Sequence, residues 1–138
     1  MLRRQGAAMI TISTKSRYAL AALSELASSG GAQPVPIGEL ARRRNIPAQF
    51  LEQLFATLRR AGILTSQRGV KGGYRLARAP AEITVLEIVE LLDGELGAGA
   101  EGVLRDAALA ARDVLARASI ADVLERERRA AGAAMYYI

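Results

Sequence analysis

The chain has 138 residues, a length typical of one compact domain, and contains neither cysteine nor histidine. This composition excludes disulfides, thiolate and imidazole metal ligands, and cysteine or serine–histidine catalysis. Residues 1–78 hold 13 basic and 3 acidic side chains, whereas residues 79–138 hold 6 basic and 11 acidic ones, so only the first part suits a polyanion such as DNA.

The chain carries no signal that directs it to a membrane. Its uncharged apolar runs are well short of the roughly 18 residues of a spanning helix. Residues 1–8 have no apolar segment of the secretory type, and we expect them to be a disordered arm or a misassigned start, with Met9 as the alternative first residue. We therefore expect a cytoplasmic protein that binds no membrane.

Apolar residues at helical spacing predict three helices in the basic part. The first starts at Ser13 or Thr14 and stops before the Ser-Ser-Gly-Gly run at 28–31. The second covers residues 37–45, and the third, with Pro47 in its first turn, ends before residues 61–62. Because only a few residues join the second and third helices, this pair is typical of a helix-turn-helix.

A β-hairpin is predicted directly after the third helix. Residues 63–67 and 74–77 are strand-like, and the turn between them at 68–73 is rich in glycine and carries two cations. A phosphate-binding P-loop would join a strand to a helix, whereas this loop joins two strands. The sequence therefore predicts a mainly α fold with a small hairpin wing, namely a winged helix-turn-helix DNA-binding domain over residues 9–80.

Three further helices are predicted over residues 81–138. Thr84 caps a helix to Leu92, a long alanine-rich helix begins at Gly102, and Ser119 caps a helix to about Arg129. We expect a helical dimerisation region with a C-terminal tail, although packing within one chain is the alternative for the long helix. The expected dimer contacts are Val103, Leu104, Ala107, Ala108, Ala111, Val114 and Leu115.

Eight side chains are candidates for DNA contact. Wing cations suit phosphates or the minor groove, and amides or a carboxylate early in the third helix suit base edges. For Glu52 and Gln53 the alternative is a solvated helix face or a cap. The candidates are Lys15, Arg17, Gln49, Glu52, Gln53, Arg59, Arg68 and Lys71.

Three blocks of sequence, at residues 13–20, 50–62 and 68–74, resemble a known family. It is the family of bacterial winged-helix repressors that includes the regulators IscR, NsrR and CymR, and the resemblance runs from Ile10 to the C-terminus. It implies a homodimeric transcription factor that contacts an operator in double-stranded DNA through the helix near Gln49 and the wing at Arg68.

The chain departs from the cluster-binding members of that family. Those members carry three cysteines in the loop that corresponds to residues 93–101, where this chain has none. The resemblance is therefore nearest to the cysteine-free CymR-type branch, and it implies a repressor of cysteine or sulfur metabolism with no iron–sulfur cluster, no metal and no other cofactor.

The C-terminal tail, with Tyr136, Tyr137 and Ile138, is apolar and aromatic. In the CymR-type branch the repressor acts with O-acetylserine (thiol)-lyase, CysK, and the terminal isoleucine resembles the residue by which serine acetyltransferase enters that enzyme. The tail is therefore expected to bind CysK. Packing of the tail on its own dimer is the alternative.

Two other classes of function remain alternatives at this point. A winged-helix adaptor for proteins would not need so basic a half, and it would bind DNA weakly or without salt dependence. An enzyme could use carboxylates such as Glu52, Glu87 and Glu90, but no second catalytic group is placed beside them. We therefore expect a DNA-binding protein that is not an enzyme.

Overall fold

The computed structural model of the protein describes residues 11–136, and it describes side chains through residue 134. Besides a short 3-10 helix at Pro80–Glu82, six α-helices and one hairpin follow each other along this part of the chain. They are α1 (Thr14–Ser28), α2 (Ile37–Arg44), α3 (Ala48–Arg60), β1 (Leu64–Gln67), β2 (Gly73–Leu76), α4 (Val85–Asp93), α5 (Gly102–Arg117) and α6 (Ile120–Tyr136). Among the described residues, no helix combines the length and hydropathy needed to cross a membrane.

The helix-turn-helix forms as predicted. The side chain of Ser13 accepts a hydrogen bond from the N–H of Ser16 and caps α1. Asn45 ends α2 in the left-handed conformation, with φ of 55°, which turns the chain sharply toward α3. Pro47 is the residue before α3 rather than part of its first turn. The predicted mainly α fold with a hairpin wing is confirmed.

The hairpin is fastened to the helical domain by the segment before α2. Its strands are antiparallel, with Thr65 opposite Arg75. Val35 pairs with Tyr74 through two backbone hydrogen bonds, from Val35 N to Tyr74 O at 2.9 Å and from Tyr74 N to Val35 O at 2.8 Å. The wing therefore leaves the domain from a fixed base.

One hydrophobic core joins both parts of the chain. The side chains of α1, α2 and α3 that face inward form its centre, with Leu23, Leu51 and Phe55 fully buried. Ile88 of α4 and Ile120 of α6 belong to the same cluster. The division near residue 80 into a DNA-binding part and a dimerisation part therefore remains a proposal about roles, because the packing is continuous across it.

The last helix is longer than predicted. Ser119 and Asp122 cap its start with reciprocal hydrogen bonds between side chain and backbone, and it continues to Tyr136 instead of ending near Arg129. The four alanines at positions 130, 131, 133 and 134 are strong helix formers, which accounts for the extension past Gly132.

An ion-pair cluster attaches α6 to the helix-turn-helix. Arg44 at the end of α2 donates two hydrogen bonds of 3.0 Å to the carboxylate of Glu127 and one of 2.8 Å to Glu25. The Arg44 guanidinium, aided by the hydroxyl of Ser24 and opposed by burial, holds the pKa of Glu127 below its ordinary value. Glu127 is therefore ionised at neutral pH and holds α6 against α1 and α2.

Candidate nucleic-acid interface

Helix α3 has one buried face and one exposed face. Leu51, Leu54, Phe55 and Leu58 point into the core. The exposed face carries polar and cationic side chains through its whole length, and these are Gln49, Glu52, Gln53, Arg59 and Arg60. No side chain caps its first turn, so the positive end of the helix dipole and backbone N–H groups there are available to a phosphate.

Two aromatic contacts hold α1 and the wing against α3. The ring centroids of Tyr18 and Phe50 lie 5.6 Å apart in an edge-to-face arrangement, which brings the N-terminal turns of α1 and α3 together. Phe55 and Tyr74 are 5.0 Å apart and join the middle of α3 to β2. Cations on α1 and on the wing therefore flank α3 on two sides.

The cations of these three elements lack acidic partners among the described residues. Lys15, Arg17, Arg68 and Lys71 are exposed and take part in none of the ion pairs of residues 11–134. Arg59 is similar, since it donates only to the hydroxyl of Ser66 at 3.1 Å. Their charges remain available to an external anion.

The arginines of α2 are different in this respect. Arg42 and Arg43 pair with Glu39 at 2.7 and 3.0 Å, and Arg44 pairs with Glu25 and Glu127. Carboxylates thus neutralise the second helix, whereas the start of α1, the end of α3 and the wing keep their positive charge. This pairing therefore leaves the unpaired positive charge of the described part of residues 1–78 on α1, α3 and the wing.

All eight predicted DNA-contacting residues are exposed on α1, α3 or the wing. The sequence reasoning left out Arg60, which lies on the exposed face of α3. Arg75, the third cation that the sequence offers around the hairpin, lies on β2 opposite Thr65 and is half-buried. The sequence reasoning also left out Val70, an apolar side chain fully exposed at the tip of the wing between Arg68 and Lys71. Helical spacing from Gln49 and Gln53 points to Arg60, whereas no sequence signal marks Val70.

Two glycines allow the wing to pack closely at its base. A Cβ on Gly72 would overlap the carbonyl oxygen of Gln67, and one on Gly73 would overlap Val35 and lie 2.7 Å from the nitrogen of Pro36. Gly73 also has φ of +154°, which side chains rarely allow. Glycine is therefore required at both positions by the geometry of the hairpin.

The seven residues predicted at a dimer interface do not lie on one free surface. Ala108 is 2% exposed and packs within its own chain, where α5 meets α4, so its assignment to a dimer seam is wrong. Val103 and Val114 are 80% and 57% exposed, and Leu104 and Ala107 are exposed as well. Ala111 and Leu115 are half-buried beside them. Among side chains 11–134, an apolar strip along α5 is therefore left without cover.

Two sets of predicted residues fall outside what the structure describes. The tail residues Tyr137 and Ile138 lie beyond the described range, and of Tyr136 only the backbone, at the end of α6, is described. Residues 1–8 also lie outside it. Two of the three carboxylates considered for catalysis have structural roles, since Glu87 completes the cap of α4 and pairs with Arg78, while Glu90 pairs with Arg112.

A helix-turn-helix flanked by a cationic wing, with its free cations on the recognition side, defines the class of winged-helix DNA-binding regulators. The chain belongs to the Rrf2 family, described as an iron-dependent transcriptional regulator, whose profile matches residues 12–126. The resemblance found in the sequence is confirmed. The chain's relatives are named as transcriptional regulators and not as enzymes.

Relatives with and without solved structures agree with this assignment. The regulator IscR of Cereibacter sphaeroides is 44% identical over 98 residues, which are 66% of this chain and 63% of that protein. The first curated relatives are matched over less than two thirds of their own length.

Among solved structures, T. potens IscR is 35% identical with a TM-score of 0.76, covering 88% of this chain and 90% of that one. The cysteine regulator CymR of B. subtilis is 33% identical with a TM-score of 0.76, covering 86% and 98%. Structural similarity therefore does not decide between the cluster-binding branch, to which IscR belongs, and the CymR-type branch.

The residues present do not fit the iron chemistry that the family description implies. The loop at 94–101 offers two carboxylates, Glu95 and Glu101, and no thiol or imidazole, because the chain has no cysteine or histidine. Over the described residues, no three potential ligands of the His, Cys, Asp or Glu type come together. Soft thiolate ligands are what an iron–sulfur cluster requires, so no step of the function is assigned to one.

Proposed function

We propose that the protein is a homodimeric repressor that places α3 in the major groove of an operator and the wing against the adjacent backbone or minor groove. The observation that carries this proposal is the distribution of unpaired cations. Lys15, Arg17, Arg59, Arg68 and Lys71 have no acidic partner among the described side chains, and all five belong to elements that meet at α3.

Different residues perform different tasks in this proposal. The cations contact phosphates, which sets the affinity and the orientation but reads no sequence. Gln49 and Gln53 are suited to adenine, and Glu52 can accept a hydrogen bond from cytosine. Glu52 is the acidic residue on the exposed face of α3. Repulsion between its carboxylate and the phosphates would weaken binding, and a base contact of this kind is what offsets that repulsion.

Removing a wing cation should weaken binding to all DNA sequences. For Arg68→Ala and Lys71→Ala we expect lower affinity for a labelled duplex and a log–log salt slope reduced by about 0.9 for each lost phosphate contact. Fluorescence anisotropy at several salt concentrations measures both quantities. The matched control is Arg128→Ala, which removes an exposed cation from α6 and should change neither one.

An unchanged affinity and slope in both wing variants would contradict the assignment of the wing to DNA. Salt-independent or absent binding by the parent would favour the alternative of a protein adaptor.

The homodimer is part of the proposal because α5 presents an apolar strip that none of the described side chains covers. Val103 and Val114 are eleven residues apart, which is about three helical turns, so they lie on the same side. A second copy related by a two-fold axis would bury both strips against each other. Two recognition helices would then read a palindromic operator with half-sites separated by whole helical turns.

The regulated genes are proposed to belong to cysteine or sulfur metabolism. Support comes from the absence of cysteine ligands for a cluster, which departs from the cluster-binding branch. The similarity to CymR agrees with this role but is matched by the similarity to IscR. Binding of CysK by Tyr136, Tyr137 and Ile138 stays a prediction, as does a cytoplasmic location, since no observation on the described residues tests either.

Selection of bound genomic fragments by the purified protein tests both the operator and the regulated genes. We expect fragments upstream of cysteine-metabolism genes to be enriched. Alanine at Gln49, Glu52 or Gln53 should change the selected sequence at one or two positions. Each lost base contact removes about 1–3 kcal/mol of discrimination between bases. If all three variants select the parent's operator, base reading lies in other residues.

A further inference from the structure

The end of α4 is hydrogen-bonded to the beginning of α1. Asp93, the last residue of α4, accepts three hydrogen bonds from residues about 80 positions earlier in the chain. The backbone N–H of Ser13 donates to Oδ2 at 2.9 Å, the hydroxyl of Ser13 donates to Oδ1, and the hydroxyl of Ser16 donates to Oδ2 at 2.9 Å. One carboxylate thus binds the first turn of α1.

This contact is rigid and charged. Ser16 is fully buried, so its hydroxyl is fixed in the direction of Asp93. Burial raises the pKa of the Asp93 carboxyl, but the hydrogen bonds from Ser13 and Ser16 and the nearby charge of Lys15 lower it further, to below its ordinary value. The ionised carboxylate also complements the positive end of the α1 dipole.

The residues beside Ser16 are the two cations of α1. Lys15 and Arg17 are exposed while Ser16 points inward, so the direction of Ser16 sets the directions of both neighbours. Within the first turn, Arg17 is further restrained by a hydrogen bond of 3.2 Å to the hydroxyl of Thr14. The contact with Asp93 therefore determines where two unpaired positive charges stand.

We infer that Asp93 is a positioning residue for DNA binding, which holds the start of α1 so that Lys15 and Arg17 face the phosphate backbone. The inference rests on the proposed role of these two cations in the DNA interface. Asp93 acts through them without touching DNA.

The direction of the change in DNA affinity when the Asp93 charge is removed distinguishes a positioning role from a purely electrostatic one. Removing a negative charge beside Lys15 would by charge alone raise the affinity for a polyanion. If Asp93 positions the cations, its removal must instead lower the affinity. An acidic residue that DNA binding requires is thus the distinguishing feature of this inference.

The test compares Asp93→Asn with a matched control, Glu95→Gln. The control removes the same charge two residues further along, from an exposed side chain outside the contact with α1. With a labelled duplex of mixed sequence, we expect Asp93→Asn to bind about 3- to 10-fold more weakly, with a smaller salt slope, and Glu95→Gln to bind as the parent or slightly better.

A double-mutant cycle distinguishes positioning from a general loss of structure. In a Lys15→Ala, Arg17→Ala background, Asp93→Asn should cause no further loss of affinity, because the groups it positions are gone. Ser16→Ala, which removes one hydrogen bond and no charge, should show a smaller loss of the same kind. Circular dichroism establishes that each variant is folded at the assay temperature.

Unchanged or increased affinity in Asp93→Asn would overturn the inference, and so would an equal loss in the background without the two cations. If the parent binds no duplex in a salt-dependent manner, the proposed function fails together with the inference. If the parent binds and depends on Lys15 and Arg17 while Asp93→Asn has no effect, the positioning role alone fails.

Discussion

Replacement of Gly73 by alanine is expected to detach the wing and destabilise the protein by about 3 kcal/mol. The φ of +154° at this position is costly for any residue with a Cβ, and the added carbon would overlap Val35 and approach the nitrogen of Pro36. Because the hydrogen bonds between Val35 and Tyr74 hold the base of the hairpin, the clash acts where the wing is attached. Urea unfolding measures the free energy of unfolding. The affinity for a DNA duplex shows whether the wing is still in place.

The matched control for this variant is Gly69→Ala. Gly69 also has positive φ, of +108°, but nothing lies within 4 Å of the position that a Cβ would take there, so only the backbone strain of about 1 kcal/mol applies. The difference between the two variants isolates the close approach of the hairpin to the segment before α2. Equal destabilisation by both substitutions would contradict the argument from packing.

The sequence contained enough information for the element order of the DNA-binding part. Apolar residues at helical spacing marked the buried faces of α1 and α3, and short polar residues such as Ser13 and Asn45 marked where helices begin or end. These signals are local, and the helices form where the signals lie. The eight candidate DNA residues could be placed on the surface because charged and amide side chains are rarely buried.

Contacts between distant parts of the chain gave no such signal. The spacing of Asp93 from Ser16, or of Arg44 from Glu127, has no meaning until helices from both parts pack together. Alanine is also ambiguous, since Ala107 and Ala108 are adjacent and equally apolar, yet one is exposed and the other is buried against α4. The prediction of a single seam along α5 was therefore too broad.

This ambiguity determines how the proposed dimer should be tested. Glutamate at Ala108 would place a charge inside the chain's own packing and would unfold it, whatever its effect on association. Val103 and Val114 are the informative positions because they are exposed among the described residues of one chain and would be buried in the proposed dimer. A substitution there leaves the monomer intact and acts on the seam alone.

The double substitution Val103→Glu, Val114→Glu is expected to yield a folded monomer. Four carboxylates facing each other across a two-fold seam would weaken the dimer by about 4 kcal/mol or more, which is about a thousand-fold in its dissociation constant. Operator affinity should fall with it, because two half-sites bound by one dimer become two independent events. Sedimentation at several concentrations measures the monomer–dimer equilibrium. The control is Ala116→Glu, because Ala116 is two residues past Val114 and so points about 200° away from it on the helix. A dimer that persists in the double variant but not in the control would indicate that the interface lies on the opposite side of α5. A dimer that persists in both variants would indicate that it lies on another surface.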